Sequence, residues 1–210
     1  KEMDPVIVTQ NKIVAEKIVE YINAINDPYA KTIVFCRTTA HAERMRSALV
    51  NASGDKSLED TRYVMRITGD DEEGKNQLDR FIDPEERYPT LVTTSQLLST
   101  GVDAQTCKLI VLDKPIESMT EFKQIIGRGT RVREDKGKMW FTIIDFQGVT
   151  KLFADPGFDG VAERVFEVKE NDNIEEELTE KDPSELTIEE KEDEDKLVDV
   201  ILSKGSSIDV

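Results

Sequence analysis

Five short apolar runs recur along the chain: TIVFC (32–36), YVMRIT (63–68), TLVTT (90–94), LIVLD (109–113) and MWFTIID (139–145). Runs of this length, β-branched and nearly continuous, predict strands covered on both faces. Between them the apolar positions return at helical spacing. Residues 11–26 place Ile13, Val14, Ile18, Tyr21, Ile22 and Ile25 on one stripe, and residues 40–50 do the same with Ala42, Met45 and Leu49. Further helices are predicted over 75–82, through Leu78, Phe81 and Ile82, and over 119–128. The last opens on Ser118-x-x-Glu121, a capping box in which each side chain satisfies the other end's free amide. Strand and helix alternate, which predicts an α/β fold with a mainly parallel sheet.

The pattern changes after FADPGFDG (153–160). From 167 to 195 acidic residues dominate and apolar ones are few, which favours a solvated linker over a packed core. A late helix is predicted over 187–203, because Thr187-x-x-Glu190 is a second capping box, LVDVIL (197–202) is apolar and Gly205 can end it. Residues 1–160 therefore read as one domain and 161–210 as an acidic linker with the start of a possible helical region. No internal repeat interrupts this division.

Composition sharpens the division. The chain has 210 residues and a net charge of −16. Residues 161–210 hold 18 acidic and 6 basic residues, so most of the acidity belongs to the tail. A uniformly basic nucleic-acid binder is excluded, whereas a local basic patch is not. No stretch approaches the ~20 apolar residues that span a bilayer, and KEMDPVIV lacks the layout of a secretion signal, so a soluble, cytoplasmic chain with no membrane partner is expected. Cys36 and Cys107 lie beside apolar runs without metal-ligand spacing, which predicts buried free thiols and no metal site. His41 is the only histidine and supports no triad; a helix-surface or half-buried histidine is expected. Trp140 reads as core.

In an open parallel sheet ligands bind beyond the carboxyl ends of the strands, and four segments there can carry chemistry. Arg37-Thr38-Thr39 follows a strand and opens a helix, where free amides and a guanidinium suit a phosphate; the alternative is that Thr38 or Thr39 is only the N-cap. In TTSQLLSTGVD (93–103), Thr94 and Ser95 supply hydroxyls, Gly101 permits close backbone approach and Asp103 can accept from a hydroxyl pair such as a ribose. In QIIGRGTR (124–131), Gln124, Arg128 and Arg131 stand at i, i+4 and i+7, one amide and two guanidinium groups on one helical face. Gly127 and Gly129 each cost a helix ~1 kcal/mol relative to Ala, which points to close approach or a helix end. Guanidinium forks suit the oxygens of a transferring γ-phosphate. In Ile144-Asp145-Phe146-Gln147 an acid ends a buried strand, placed to cap or orient the arginine helix.

Taken in order, KTIVFCRTTAHAERM, ITGDDEEGKNQLDRF, LVTTSQLLSTGVDAQTCKLIVLDKPIESMTEFKQIIGRGTRV and WFTIIDF resemble the second RecA-like domain of superfamily 2 helicases. The phrases STGVD and KPIESMTEFKQIIGRGTR look most like the motor (R) subunit of type I restriction enzymes. The resemblance implies a RecA-like three-layer sandwich with a mainly parallel sheet, followed by an acidic, partly helical or disordered tail. It makes Arg37, Thr38 and Thr39 motif IV, facing the nucleic-acid backbone. Thr94 and Ser95 open motif V on the phosphate side, while Gly101 and Asp103 close it toward the nucleotide. Gln124, Gly127, Arg128 and Arg131 form motif VI, with Arg128 and Arg131 as candidate arginine fingers. DEAD-box relatives often carry Arg-Gly-x-Asp at the end of motif V; here Thr100 precedes Gly101.

The 210 residues contain neither a GxxxxGK[ST] phosphate loop nor an acidic Mg²⁺-binding motif of the DEAD/DEAH type. In the family those parts sit on the first RecA-like domain. ATP and Mg²⁺ are therefore expected to be bound mainly by that domain, and this chain alone is expected to be inactive. The implied enzyme is an ATP-dependent restriction endonuclease and translocase acting on double-stranded DNA. Its implied partners are the protein's own N-terminal RecA-like and nuclease domains, with methyltransferase and specificity subunits. Two other readings stay open: a DNA-repair or RNA-remodelling helicase domain, and a non-catalytic docking module that uses the acidic tail.

Overall fold

The computed structural model describes residues 5–69, 72–95, 106–126, 141–149, 162–169 and 196–203. All five apolar runs become strands: β1 (Thr32–Cys36), β2 (Val64–Arg66), β3 (Leu91–Thr94), β4 (Leu109–Asp113) and β5 (Phe141–Asp145). They pair in parallel in the order β2-β3-β1-β4-β5. Every residue of β1, β3 and β4 is buried, which is why these runs lack polar alternation.

The two-residue period of a strand still sorts the apolar side chains between two cores. On one face, Val34, Val111 and Ile144 pack with Val14, Ile18 and Ile22 of α1 (Pro5–Ala24) and with Ala42, Met45 and Leu49 of α2 (Thr39–Ser53). On the other, Ile33, Phe35, Ile110, Leu112 and Ile143 pack with Phe81 of α4 (Glu72–Ile82) and with Phe122 and Ile125 of α5 (Met119–Ile126). Helices thus cover both faces of the sheet, giving the three-layer RecA-like sandwich. Cys36 and Cys107 are buried free thiols. Burial pushes the Cys36 thiol well up, with the Asp113 carboxylate adding to the effect.

The helix ends depart from the apolar pattern for local reasons. The stripe of α1 runs on to Ile25, but the helix stops at Ala24 because Asn26 takes a left-handed φ of 53°. The Asn26 amide then donates to Asn23 O (2.9 Å) and the Asp27 amide to Ile22 O (3.4 Å), closing a Schellman motif. Pro5 opens the helix six residues before the expected start, at a position where a missing N–H costs nothing. At α5 the Ser118 hydroxyl accepts from the Glu121 amide (3.1 Å), but the Glu121 carboxylate takes Lys114 rather than closing the box. The short helix α3 (Asp55–Glu59) has no buried residue, so no apolar stripe announces it.

The tail requires a correction. The helix expected over 187–203 is not formed at its apolar end; residues there make β7 (Lys196–Ser203). This strand lies antiparallel between β5 and β6 (Ala162–Lys169), so the sheet has seven strands, in the order β2-β3-β1-β4-β5-β7-β6. Val198, Val200 and Ile201 are β-branched and resist helix less than they favour a pleated ladder. The outer edge of β5 offers unpaired backbone groups that such a segment satisfies. Residues 170–195, including the Thr187 capping box, lie outside the described residues.

Candidate functional site

Parallel register brings the strand ends together. Phe35 pairs with Thr94 and with Leu112, Cys36 with Asp113, and Leu112 with Asp145. The carboxyl ends of β1, β3, β4 and β5 therefore form one edge, the place where such sheets bind ligands.

Arg37, Thr38 and Thr39 leave β1 at this edge. Thr38 has extended backbone (φ −141°, ψ 163°) and its hydroxyl accepts from the His41 amide at 3.1 Å, so it is the N-cap of α2. Arg37 is exposed. Thr39 is half-buried, and its hydroxyl lies 3.5 Å from that of Ser95, just beyond β3. The Thr93 hydroxyl donates to Ala42 O at 2.9 Å, fixing β3 against the first turn of α2. Thr94 and Ser95 are both buried, and the Thr94 hydroxyl has no hydrogen-bond partner among the described residues. Two segments 56 residues apart thus share one lip of the sheet.

A chain of polar contacts runs beneath Arg37. Its Nη2 donates to Gln147 Oε1 (2.9 Å), and Gln147 Nε2 donates to Asp113 Oδ1 (3.2 Å). The Gln147 amide donates to Asp145 Oδ1 (2.9 Å), which orients the turn after β5. The second carboxylate oxygen of Asp113 lies 3.2 Å from His41 Nε2, which also faces Asn11 Oδ1 of α1 at 3.0 Å. His41 Nδ1 accepts from the Arg37 backbone amide (3.2 Å), so the ring donates through Nε2. Asp113 and Asp145 are 3% and 1% exposed, buried depths at which a carboxylate requires such partners.

The sequence expectation of a half-buried histidine holds for His41, but its contacts were not anticipated, nor were those of Asp113 and Asn11. The available signal was an acid ending LIVLD in the way another ends FTIID. Gln124 is exposed on α5 while Phe122 and Ile125 beside it are buried. Gly101, Asp103, Gly127, Arg128, Arg131 and Trp140 lie outside the described residues, so the role expected of Asp145 toward the two arginines does too. Among the described residues no three potential metal ligands cluster.

The helicase conserved C-terminal domain family matches residues 14–133, a span that holds every site residue from Arg37 to Arg131. The chain belongs to this family. The helicase domain is 56% identical over 167 residues to the type I restriction enzyme EcoAI endonuclease subunit of Escherichia coli, covering 80% of this chain and 20% of that subunit. Against the EcoKI endonuclease subunit of Escherichia coli strain K12 the identity is 33% over 144 residues, covering 67% and 12%. A solved fragment described as an HsdR subunit of a type I restriction enzyme from Vibrio vulnificus YJ016 superposes with a TM-score of 0.70 at 48% identity, covering 74% of this chain and 30% of that one. The chain spans a fifth or less of the length of the two endonuclease subunits. By sequence and by fold it is a helicase C-terminal domain of the kind found in type I restriction endonuclease subunits.

Proposed function

We propose that this domain is the second half of an ATP-driven motor that moves double-stranded DNA within a type I restriction endonuclease subunit. The observation that carries the reading is the shared lip at the carboxyl edge, where the segment Arg37-Thr38-Thr39 leaves β1 and the Thr39 hydroxyl meets that of Ser95. One cation with hydroxyl and amide donors suits a phosphodiester backbone and reads no base, as a motor that passes over any sequence requires. Thr38, its acceptor lone pair used by the cap, keeps an O–H to donate.

The second set of groups suits a nucleotide. The Gln124 amide, the backbone at Gly101 and Gly127 and the guanidinium groups of Arg128 and Arg131 match phosphate oxygens, and Asp103 matches a ribose hydroxyl pair. ATP with Mg²⁺, held mainly by the first RecA-like domain, supplies the free energy of movement. Arg128 and Arg131 stabilise charge on the phosphate from across the cleft, which couples closure of the two domains to nucleotide state. Nuclease, methyltransferase and specificity functions belong to other domains and subunits, and the assembly works in the cytoplasm. Among the described residues no helix is long and apolar enough to cross a membrane.

The test is Arg131→Ala in the full-length subunit. A finger loss lowers the DNA-stimulated rate of ATP hydrolysis by roughly 10³-fold. A rate close to wild type would remove the finger assignment.

A further inference from the structure

We propose that Asp113 is a positioning residue that holds both ends of Arg37, aiming its guanidinium at the nucleic-acid backbone through Gln147 and fixing its main chain through His41. The inference rests on the reading of Arg37 as a DNA-backbone contact.

A lone arginine at a strand end samples many rotamers, and ordering it costs side-chain entropy at the moment of binding. Here that freedom is reduced in advance. The two oxygens of one buried carboxylate face different partners: Oδ1 accepts from Gln147, whose own carbonyl accepts from Arg37 Nη2, while Oδ2 faces the Nε2 donor of His41. The opposite nitrogen of that imidazole accepts the Arg37 backbone amide at 3.2 Å. The Gln147 amide orientation follows from the same logic. Its NH₂ group must face the carboxylate, so its oxygen must face the guanidinium. The guanidinium has five N–H donors and one is used here, so the fork keeps donors for a ligand. Three residues, Asp113 of β4, Gln147 of the turn after β5 and His41 of α2, thus act on Arg37. Asn11 extends the tie to α1.

The test uses the full-length subunit and reads ATPase rate against duplex DNA concentration at several salt concentrations. Gln147→Ala removes no charge and lies at a half-buried position in a turn. It is expected to raise the half-saturating DNA concentration by roughly two- to tenfold, more than it lowers kcat. The salt dependence of binding is expected to flatten toward the loss of one phosphate contact, a slope change of up to ~0.9, although every charge is still present. Arg37→Ala shows the same flattening, and adding Gln147→Ala to it brings no further loss. Asp113→Asn, which turns one acceptor into a donor with little change of shape, is expected to reproduce the Gln147→Ala pattern, with a thermal melt as the control for folding. If the Arg37 and Gln147 effects multiply, or Gln147→Ala leaves the salt slope at the wild-type value, the positioning role is overturned while the Arg37 contact stands. If Arg37→Ala alone leaves DNA dependence unchanged, the backbone-contact reading fails and the positioning role falls with it.

Discussion

At the scale of single residues, Lys31 shows what burying a charge does to this fold. Its side chain sits just before β1, 7% exposed, with Nζ donating to Pro89 O at 2.6 Å and lying 5.2 Å from the centre of the Phe81 ring. Burial lowers its pKa to about 8, against the opposing pull of Glu86 and Asp83. The ordinary value in an unfolded chain is ~10.4, so between the two values the unfolded state binds more protons. Stability should therefore rise as pH increases from 8 toward 10. Tyr21 and Tyr63, each pushed by burial up to about 12, act in the opposite sense only above pH ~10, where the folded state holds protons that the unfolded state has lost. Urea unfolding at pH 8 and at pH 10 isolates the lysine: Lys31→Met should remove a rise of about 1–3 kcal/mol. An unchanged pH slope in that variant would contradict the buried-amine account. The residues beneath Arg37 show the same lesson for the site. Arg37 and the two hydroxyl pairs could be picked out by type and spacing, whereas Asp113 and Gln147 meet across 34 residues that carry no mark of the contact.

Among elements, the outcome turned on how much of each signal is local. Strands β1 and β4 coincide with their apolar runs, because a fully buried parallel strand writes its length directly as apolar residues. Helix α1 is mis-ended by its own stripe, since one left-handed Asn26 outweighs one more apolar position. The late segment shows the opposite failure. A capping box and an apolar run make an acceptable helix in isolation, yet β7 finds a ladder on each side, Val200 pairing with both Ile144 and Phe166. Val200→Pro removes a backbone donor from that inner strand. Amide hydrogen exchange should then lose protection across 162–169 and 196–203 while β1 and β4 keep theirs. Protection of 162–169 that survives the substitution would mean that β6 does not depend on β7.

For the whole molecule, the proposed function makes the site half of a larger one. A GxxxxGK[ST] phosphate loop and an acidic Mg²⁺-binding motif do not occur in the 210 residues, while Arg128 and Arg131, the proposed fingers, do. The chain alone is therefore expected to show no DNA-stimulated ATP hydrolysis, and rejoining it to the N-terminal RecA-like segment should restore it. Hydrolysis by the isolated chain above the level of its own Arg131→Ala variant would contradict a divided site. Charge is divided as well: most of the −16 lies beyond residue 160. The alternation of β1 to β5 with helices α1, α2, α4 and α5 and the covering of the sheet on both faces were determined by the sequence alone, because apolar periodicity is a property of contiguous residues. Tertiary structure alone decided that Cys36, Thr94, Asp113 and Asp145 end on one edge, that Gln147 stands between Arg37 and Asp113, and that residues 196–203 join the sheet. Each of these depends on which strands become neighbours and in what register, and a hydrogen bond made across a sheet leaves no periodic trace in the chains that make it.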